Sequence, residues 1–253
     1  MHAHLSVRWA AFRYGLKRVL AFVMVPIQGG PLKGCLWGAF CGVRYLRGDY
    51  DARYISRLRA LAAPGDTFYD VGAHVGYYAV VMSRYLGPTG RVVAFEPLPV
   101  NLRFLRRHLR LNRCGNAELV EAAVGEHAGR ATFAAAKGSG RGALGAGGGT
   151  SVRVTRIDDI WADGNSAPPT LIKMDIEGGE LSALRGAGRT LHEHRPVVML
   201  AVHGEDLRRD CTICLQAQGY ELIWYKPNSC IAVASERLEQ LRAVRLAWGA
   251  VAA

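Results

Sequence analysis

The 253-residue sequence predicts an α/β fold: a mostly parallel β-sheet covered by helices on both faces and carrying one antiparallel strand. Three observations lead there. From residue 66 onward, short runs rich in Val, Ile and Leu alternate with amphipathic helical stretches, the pattern of strands buried on both faces between crossover helices. The last two apolar runs are separated only by residues 226–229, too few to cross over to a parallel neighbour, so they pair as an antiparallel hairpin. Half of the residues are apolar and 21% are charged, a globular composition at a length that suits one large α/β domain or two small ones.

Taken in order, residues 1–60 read as a basic N-terminal helical extension. Ten of the 32 Lys and Arg residues fall there (Arg8, Arg13, Lys17, Arg18, Lys33, Arg44, Arg47, Arg53, Arg57 and Arg59) against two acids, Asp49 and Asp51, so most of the net charge of +11 belongs to this quarter. Its longest uncharged stretch, Val19–Leu32, contains Pro26, Gly29 and Gly30 and falls short of the roughly 20 apolar residues of a membrane span. A basic segment of this kind suits peripheral contact with an anionic membrane. Residues 61–235 form the main domain. Strands are expected at Thr67–Val71, Arg91–Phe95, Ala117–Val124, Thr170–Ile176, Pro196–Val202, Glu221–Tyr225 and Cys230–Ala234, and helices at Val75–Leu86, Val100–Asn112, Glu180–His194 and Leu207–Gln218. Leu102, Leu105 and Leu109 illustrate the apolar helical stripe. Two β-like runs, Ala131–Ala136 and Ser151–Ile157, flank a glycine-rich stretch from Gly138 to Gly149 that is costly to order, read as a mobile surface loop. Residues 236–253 are expected to be a C-terminal helix.

Cysteines 35, 41, 114, 211, 214 and 230 are too sparse for a disulfide framework. They read as thiols of a cytoplasmic protein, and the lone CxxC of Cys211 and Cys214 lacks the second pair a structural zinc needs. No metal ligand is assigned.

In an open parallel sheet, ligands bind beyond the carboxyl ends of the strands. The first strand ends in Asp70-Val71-Gly72-Ala73-His74-Val75-Gly76, where Gly72 and Gly76 let the backbone turn tightly beside a ligand. The second strand ends at Glu96, placed to accept the hydroxyls of an adenosine ribose. The dinucleotide fingerprint GxGxxG is not satisfied, and no GxxxxGK[ST] loop occurs. The acid that opens the turn, Asp70, would repel a pyrophosphate but suits an ammonium and a sulfonium, which favours S-adenosylmethionine over NAD. Asp175 and Glu177 lie two apart at the end of the fourth strand, on one side with Lys173; Glu177 and Glu180 would equally suit a helix N-terminus. His203 ends the fifth strand at the same edge, where its near-neutral pKa suits a general base.

The segments FYDVGAHVGYY, RVVAFEPLPVN and LIKMDIEGGE, with GDYD at residues 48–51, resemble the FkbM family of methyltransferases over about residues 40–225. The resemblance implies a class I, Rossmann-like, seven-stranded sheet, S-adenosylmethionine as methyl donor, and a hydroxylated small-molecule, glycolipid or glycan acceptor. It implies that Asp70, Gly72, His74 and Gly76 form the cofactor loop, that Glu96 takes the ribose with Asn101 behind it, and that Glu121 and Ala122 border the adenine. Asp175, Glu177 and Gly178 match the family's DxEG element. Asp175 is the first choice of catalytic base, with His203 second and Glu177 beside them. Two departures stand out: His74 replaces the family's usual Asn, and Ala201 sits where the fifth strand commonly has an acid. The net charge keeps open an RNA-binding protein or RNA methylase, although no nucleic-acid motif is visible, and an NAD-dependent oxidoreductase is the remaining alternative.

Overall fold

The computed structural model describes residues 23–135, 142–144, 149–164, 166–237 and 239. The first 22 residues, most of the Gly138–Gly149 stretch and most of the expected C-terminal helix lie outside that range.

The segment ahead of the main domain begins with β1 (Met24–Pro26), antiparallel to β2 (Leu36–Gly38), and continues through α1 (Val43–Arg47) and α2 (Ala52–Ala60). The helical extension expected here is corrected in part: its described residues open with a hairpin before the two helices. Ile27, Leu32 and Trp37 are buried in the same apolar cluster as the main sheet, so the segment completes a core.

The alternation then runs β3 (Thr67–Val71), α3 (Tyr77–Leu86), β4 (Arg91–Phe95), α4 (Pro99–Leu111) and β5 (Ala117–Val120). A small second sheet follows, from β6 (Ala123–Val124), β7 (Gly129–Ala135), β8 (Gly142–Leu144) and β9 (Thr150–Thr155), and leads into α5 (Ile157–Ala162). The run expected as one strand, Ala117–Val124, thus divides at Glu121 between two sheets. The chain closes with β10 (Leu171–Met174), α6 (Glu180–Arg185), α7 (Gly188–Glu193), β11 (Val197–Ala201), α8 (Glu205–Ala217), β12 (Tyr220–Lys226) and β13 (Ser229–Ala234). The helix expected over Glu180–His194 breaks at Gly186 and Ala187 because buried Asp158 caps α7. Its carboxylate accepts the backbone N–H groups of Arg189 and Thr190 at 3.1 and 2.8 Å, a side-chain bond that replaces an intrahelical one.

The main sheet has the order β12-β13-β11-β10-β3-β4-β5. The strands from β5 to β11 are parallel, and β13 is antiparallel to both its neighbours. The antiparallel strand lies inside the sheet, not at its end. Its SCIAVA sequence is buried throughout, whereas YELIWYK of β12 is half-exposed and forms the edge, as their compositions require. Side chains alternate between two cores: Phe68 and Leu171 face the side of α3, α4 and the N-terminal segment, while Tyr69, Val71, Ile172 and Met174 face α6–α8.

Buried His108 of α4 holds the N-terminal hairpin in place. Its ring stacks on Trp37 at 3.7 Å, its Nδ1 lies 2.7 Å from Val75 O, and its Nε2 accepts the Gly38 N–H at 3.1 Å. Asn112, one turn on, accepts Leu36 N and donates to Leu36 O. Accepting at Nε2 while donating at Nδ1 requires neutral imidazole. Burial, opposed by the bond to Val75 O and aided by Arg107, lowers the pKa from 6.5 to about 4. An unfolded chain binds a proton between those values that the folded chain refuses, so stability is full above pH 6.5 and falls as pH drops toward 4. The expected loss is about 3 kcal/mol across the window. Urea melts at stepped pH check this: His108→Gln should flatten that part of the slope, and an unchanged slope would contradict the assignment.

Candidate active site

The carboxyl ends of β3, β4 and β10 meet at one cleft, which the N-terminal segment covers from the side of α3. Parallel register sets Asp70 of β3 directly beside Lys173 of β10. Both are buried, with Lys173 Nζ 3.1 Å from Asp70 Oδ1. The same ammonium donates to Gly72 O at 2.9 Å and lies 5.0 Å from the centroid of the Tyr78 ring. Burial pushes the Asp70 carboxyl up, against the pull of Lys173. Burial alone would lower Lys173, but the charges of Asp70 and Asp175 outweigh it and hold the amine above its ordinary value. The charge of buried Asp70 is matched by Lys173, which also bonds the start of the glycine turn.

The glycines behave as expected. Gly72 has φ +83°, and a Cβ there would stand 2.2 Å from the Asp175 carbonyl oxygen; Gly76 has φ +92°, and a Cβ would stand 2.4 Å from Leu105. Between them His74 adopts φ +52°, a left-handed conformation in which His, like Asn and Asp, is enriched, so the turn accepts it. The His74 N–H donates to Glu96 Oε2 at 2.9 Å.

Glu96 is buried at the end of β4. Among the described residues three donors reach it: His74 N on Oε2, and Leu98 N at 2.9 Å with Asn101 Nδ2 at 3.1 Å on Oε1. Burial lifts its pKa from 4.5 to about 7 despite these bonds. Asn101 therefore positions Glu96 as well as lining the cleft. Ala122 lines it too, but Glu121 does not: its half-exposed carboxylate pairs with Arg106 of α4.

Asp175, Glu177 and His203 come together as the sequence anticipated. His203 Nε2 lies 3.7 Å from Asp175 Oδ1 and 3.4 Å from Glu177 Oε2. Its Nδ1 is 2.9 Å from Oε1 of Glu180, a fully buried carboxylate that also accepts the Gly178 N–H. Burial tends to lower the His203 pKa, but the Glu180 bond and the charges of Glu180, Asp175 and Glu177 raise it overall. Ala201 ends β11, two residues before His203.

Sequence reasoning assigned no role to the residues the N-terminal segment adds. Tyr45, Tyr50 and Asp51 line the cleft. Tyr45 and Tyr50 stack at 3.9 Å, and Tyr78 Oη donates to Asp51 Oδ2 at 2.5 Å. The available signal was GDYD itself, which carries Tyr50 and Asp51.

A seven-stranded sheet of this order, with a glycine turn after β3 and an acid following β4, is the fold of the class I methyltransferases. The chain belongs to the FkbM methyltransferase family, whose methyltransferase FkbM domain matches residues 70–222. It is 27% identical over 169 residues to the hexuronic acid methyltransferase AglP of Haloferax volcanii, covering 65% of this chain and 66% of that one. Among solved structures it is similar to the methyltransferase FkbM from Methylobacillus flagellatus KT, at 25% identity and a TM-score of 0.51, over 75% of this chain and 52% of that one. The match thus spans just under two thirds of the curated relative and about half of the solved one. Family membership sets aside the NAD-dependent oxidoreductase.

Removing one partner of the buried pair leaves the other charge uncompensated. Lys173→Met should lower stability in urea melts by about 3–5 kcal/mol, and Asp70→Asn combined with it should restore much of the loss. A single variant as stable as wild type would show that the pair does not hold the site.

Proposed function

We propose that this methyltransferase transfers a methyl group to a hydroxyl oxygen of a saccharide, with an acidic sugar as the first acceptor class to test. The observation that carries the reading is that Asp175 and Glu177, which line the cleft together with the glycine turn and Glu96, have His203 beside them. The hexuronic acid methyltransferase relative supports the choice of acceptor.

The residues present fit the cofactor. Gly72 leaves room where a Cβ would collide, and Glu96, with three of its four lone-pair positions taken, keeps one on Oε2 for a ribose hydroxyl. Ala122 offers a small apolar surface to the base. S-adenosylmethionine supplies, when bound, an electrophilic methyl carbon on a sulfonium that departs as a neutral thioether. Asp175 would accept the proton of the acceptor hydroxyl, leaving the oxygen's electron pair available to the methyl carbon that the cofactor would supply. Glu180 orients the imidazole of His203.

Two outcomes are expected. S-adenosylhomocysteine should bind, and Glu96→Ala should weaken that binding by about 1.5–3 kcal/mol in calorimetry. Because a hydroxyl donates to ionised Glu96, affinity should fall as pH drops below about 7, and Glu96→Gln should lose that dependence. Asp175→Asn preserves shape while removing the base; with labelled methyl donor and a hexuronate-containing acceptor, kcat should fall by about 10²–10⁴ with cofactor affinity nearly intact. Loss of cofactor binding with kcat retained would make Asp175 a binding residue and pass the base role to His203.

A further inference from the structure

The sequence put Asp175, Glu177 and His203 forward as proton acceptors. Their geometry carries a further implication, which rests on the methyltransferase reading of the same cleft. Both oxygens of Glu180 accept the Gly178 N–H, at 3.1 and 3.0 Å, so this buried side chain is a carboxylate and an acceptor. His203 Nδ1 therefore donates to it, at 2.9 Å. In the neutral ring, that fixes the tautomer and turns the lone pair of Nε2 toward Asp175 Oδ1 and Glu177 Oε2. Three electron-rich atoms, from three side chains, then face one another at the cleft.

Their separations are informative. A charge-assisted N–H···O bond would draw nitrogen and oxygen to about 2.7–2.9 Å, yet the Nε2 contacts are 3.7 and 3.4 Å, and all three atoms lie within 4.8 Å of one another. Neighbouring ligands of one metal ion, each about 2.0–2.5 Å from it, stand about 3.0–3.5 Å apart at right angles and wider in tetrahedral arrangement. The spacing is longer than a charge-assisted hydrogen bond and suits a shared coordination shell.

We propose that Asp175, Glu177 and His203 form a divalent-cation site, with Glu180 as the carboxylate that positions the histidine. One imidazole and two carboxylates favour an ion of the Mn²⁺, Fe²⁺ or Zn²⁺ kind over one that prefers all-oxygen ligands. A histidine whose second nitrogen is held by a carboxylate is the usual arrangement in metal sites. Three protein ligands leave coordination positions for water and for the acceptor hydroxyl, whose proton the cation would make easier to remove. Asp175 contributes Oδ1 to the ion and keeps Oδ2 for that proton. An acidic acceptor would gain a second attachment, its own carboxylate reaching the same cation.

The test uses the full chain, freed of metals by a chelator and titrated with Mn²⁺ alone, with free Mn²⁺ followed by electron paramagnetic resonance. One ion should bind per chain. His203→Gln and Glu177→Gln, at half-exposed positions whose folding circular dichroism melts would verify, should each weaken binding at least tenfold. Pulsed measurements on the wild type should detect coupling to a directly bound ¹⁴N nucleus, absent in His203→Gln. No saturable binding, binding unchanged in both variants, or a bound ion without nitrogen coupling would overturn the proposal. Calorimetry with S-adenosylhomocysteine on the same chelated protein keeps the two readings apart. Cofactor binding there with no Mn²⁺ binding removes the cation site alone, while failure to bind S-adenosylhomocysteine counts against the cofactor cleft whatever Mn²⁺ does.

Discussion

The ion pair between Asp70 and Lys173 is the constraint on which the site depends. Two charges sit between the central strands of the sheet, where isolated charges would be prohibitively costly, and register alone brings them together. Lys173 spends a second donor on Gly72 O, so the pair that neutralises β3 also fixes the start of the glycine turn. From the other side, the backbone of Asp175 packs against Gly72 so closely that no side chain fits between them. The turn is therefore built by β3 and β10 together.

That arrangement divides the acids of the cleft by role. Asp70 is paired with Lys173 inside the sheet. Glu96 is held by a backbone donor from the turn, one from Leu98 and the amide of Asn101, so its carboxylate is positioned before any ligand arrives. Asp175 and Glu177 stay accessible because β10 ends at Met174 and the chain turns through Glu177 and Gly178 in left-handed conformations. Preorganisation of this kind lets binding and chemistry share one cleft.

Much of this was legible in the sequence. Strands buried on both faces have unambiguous composition, and Thr67–Val71 and Arg91–Phe95 were located to the residue. Glycines and acids at strand ends are read directly because their positions follow from topology. What escaped depended on tertiary partners. The short strands β1 and β2 have no period of their own and exist through pairing and through His108 and Asn112, about 70 residues on. A sequence shows neither the lysine on the neighbouring strand that pairs with Asp70 nor the arginine on α4 that pairs with Glu121. The break after α6 needed the Asp158 carboxylate, supplied by a distant helix.

The central claim is that one cleft, built on the Asp70–Lys173 pair, places the cofactor between Glu96 and the Asp175–Glu177–His203 cluster. A crystal structure of the chain with S-adenosylhomocysteine tests it most directly. The account predicts a ribose hydroxyl within hydrogen-bond distance of Glu96 Oε2, the homocysteine chain over the Gly72–Gly76 turn, and the sulfur facing Asp175 and His203. A ribose away from Glu96, or a sulfur directed away from that cluster, would contradict it.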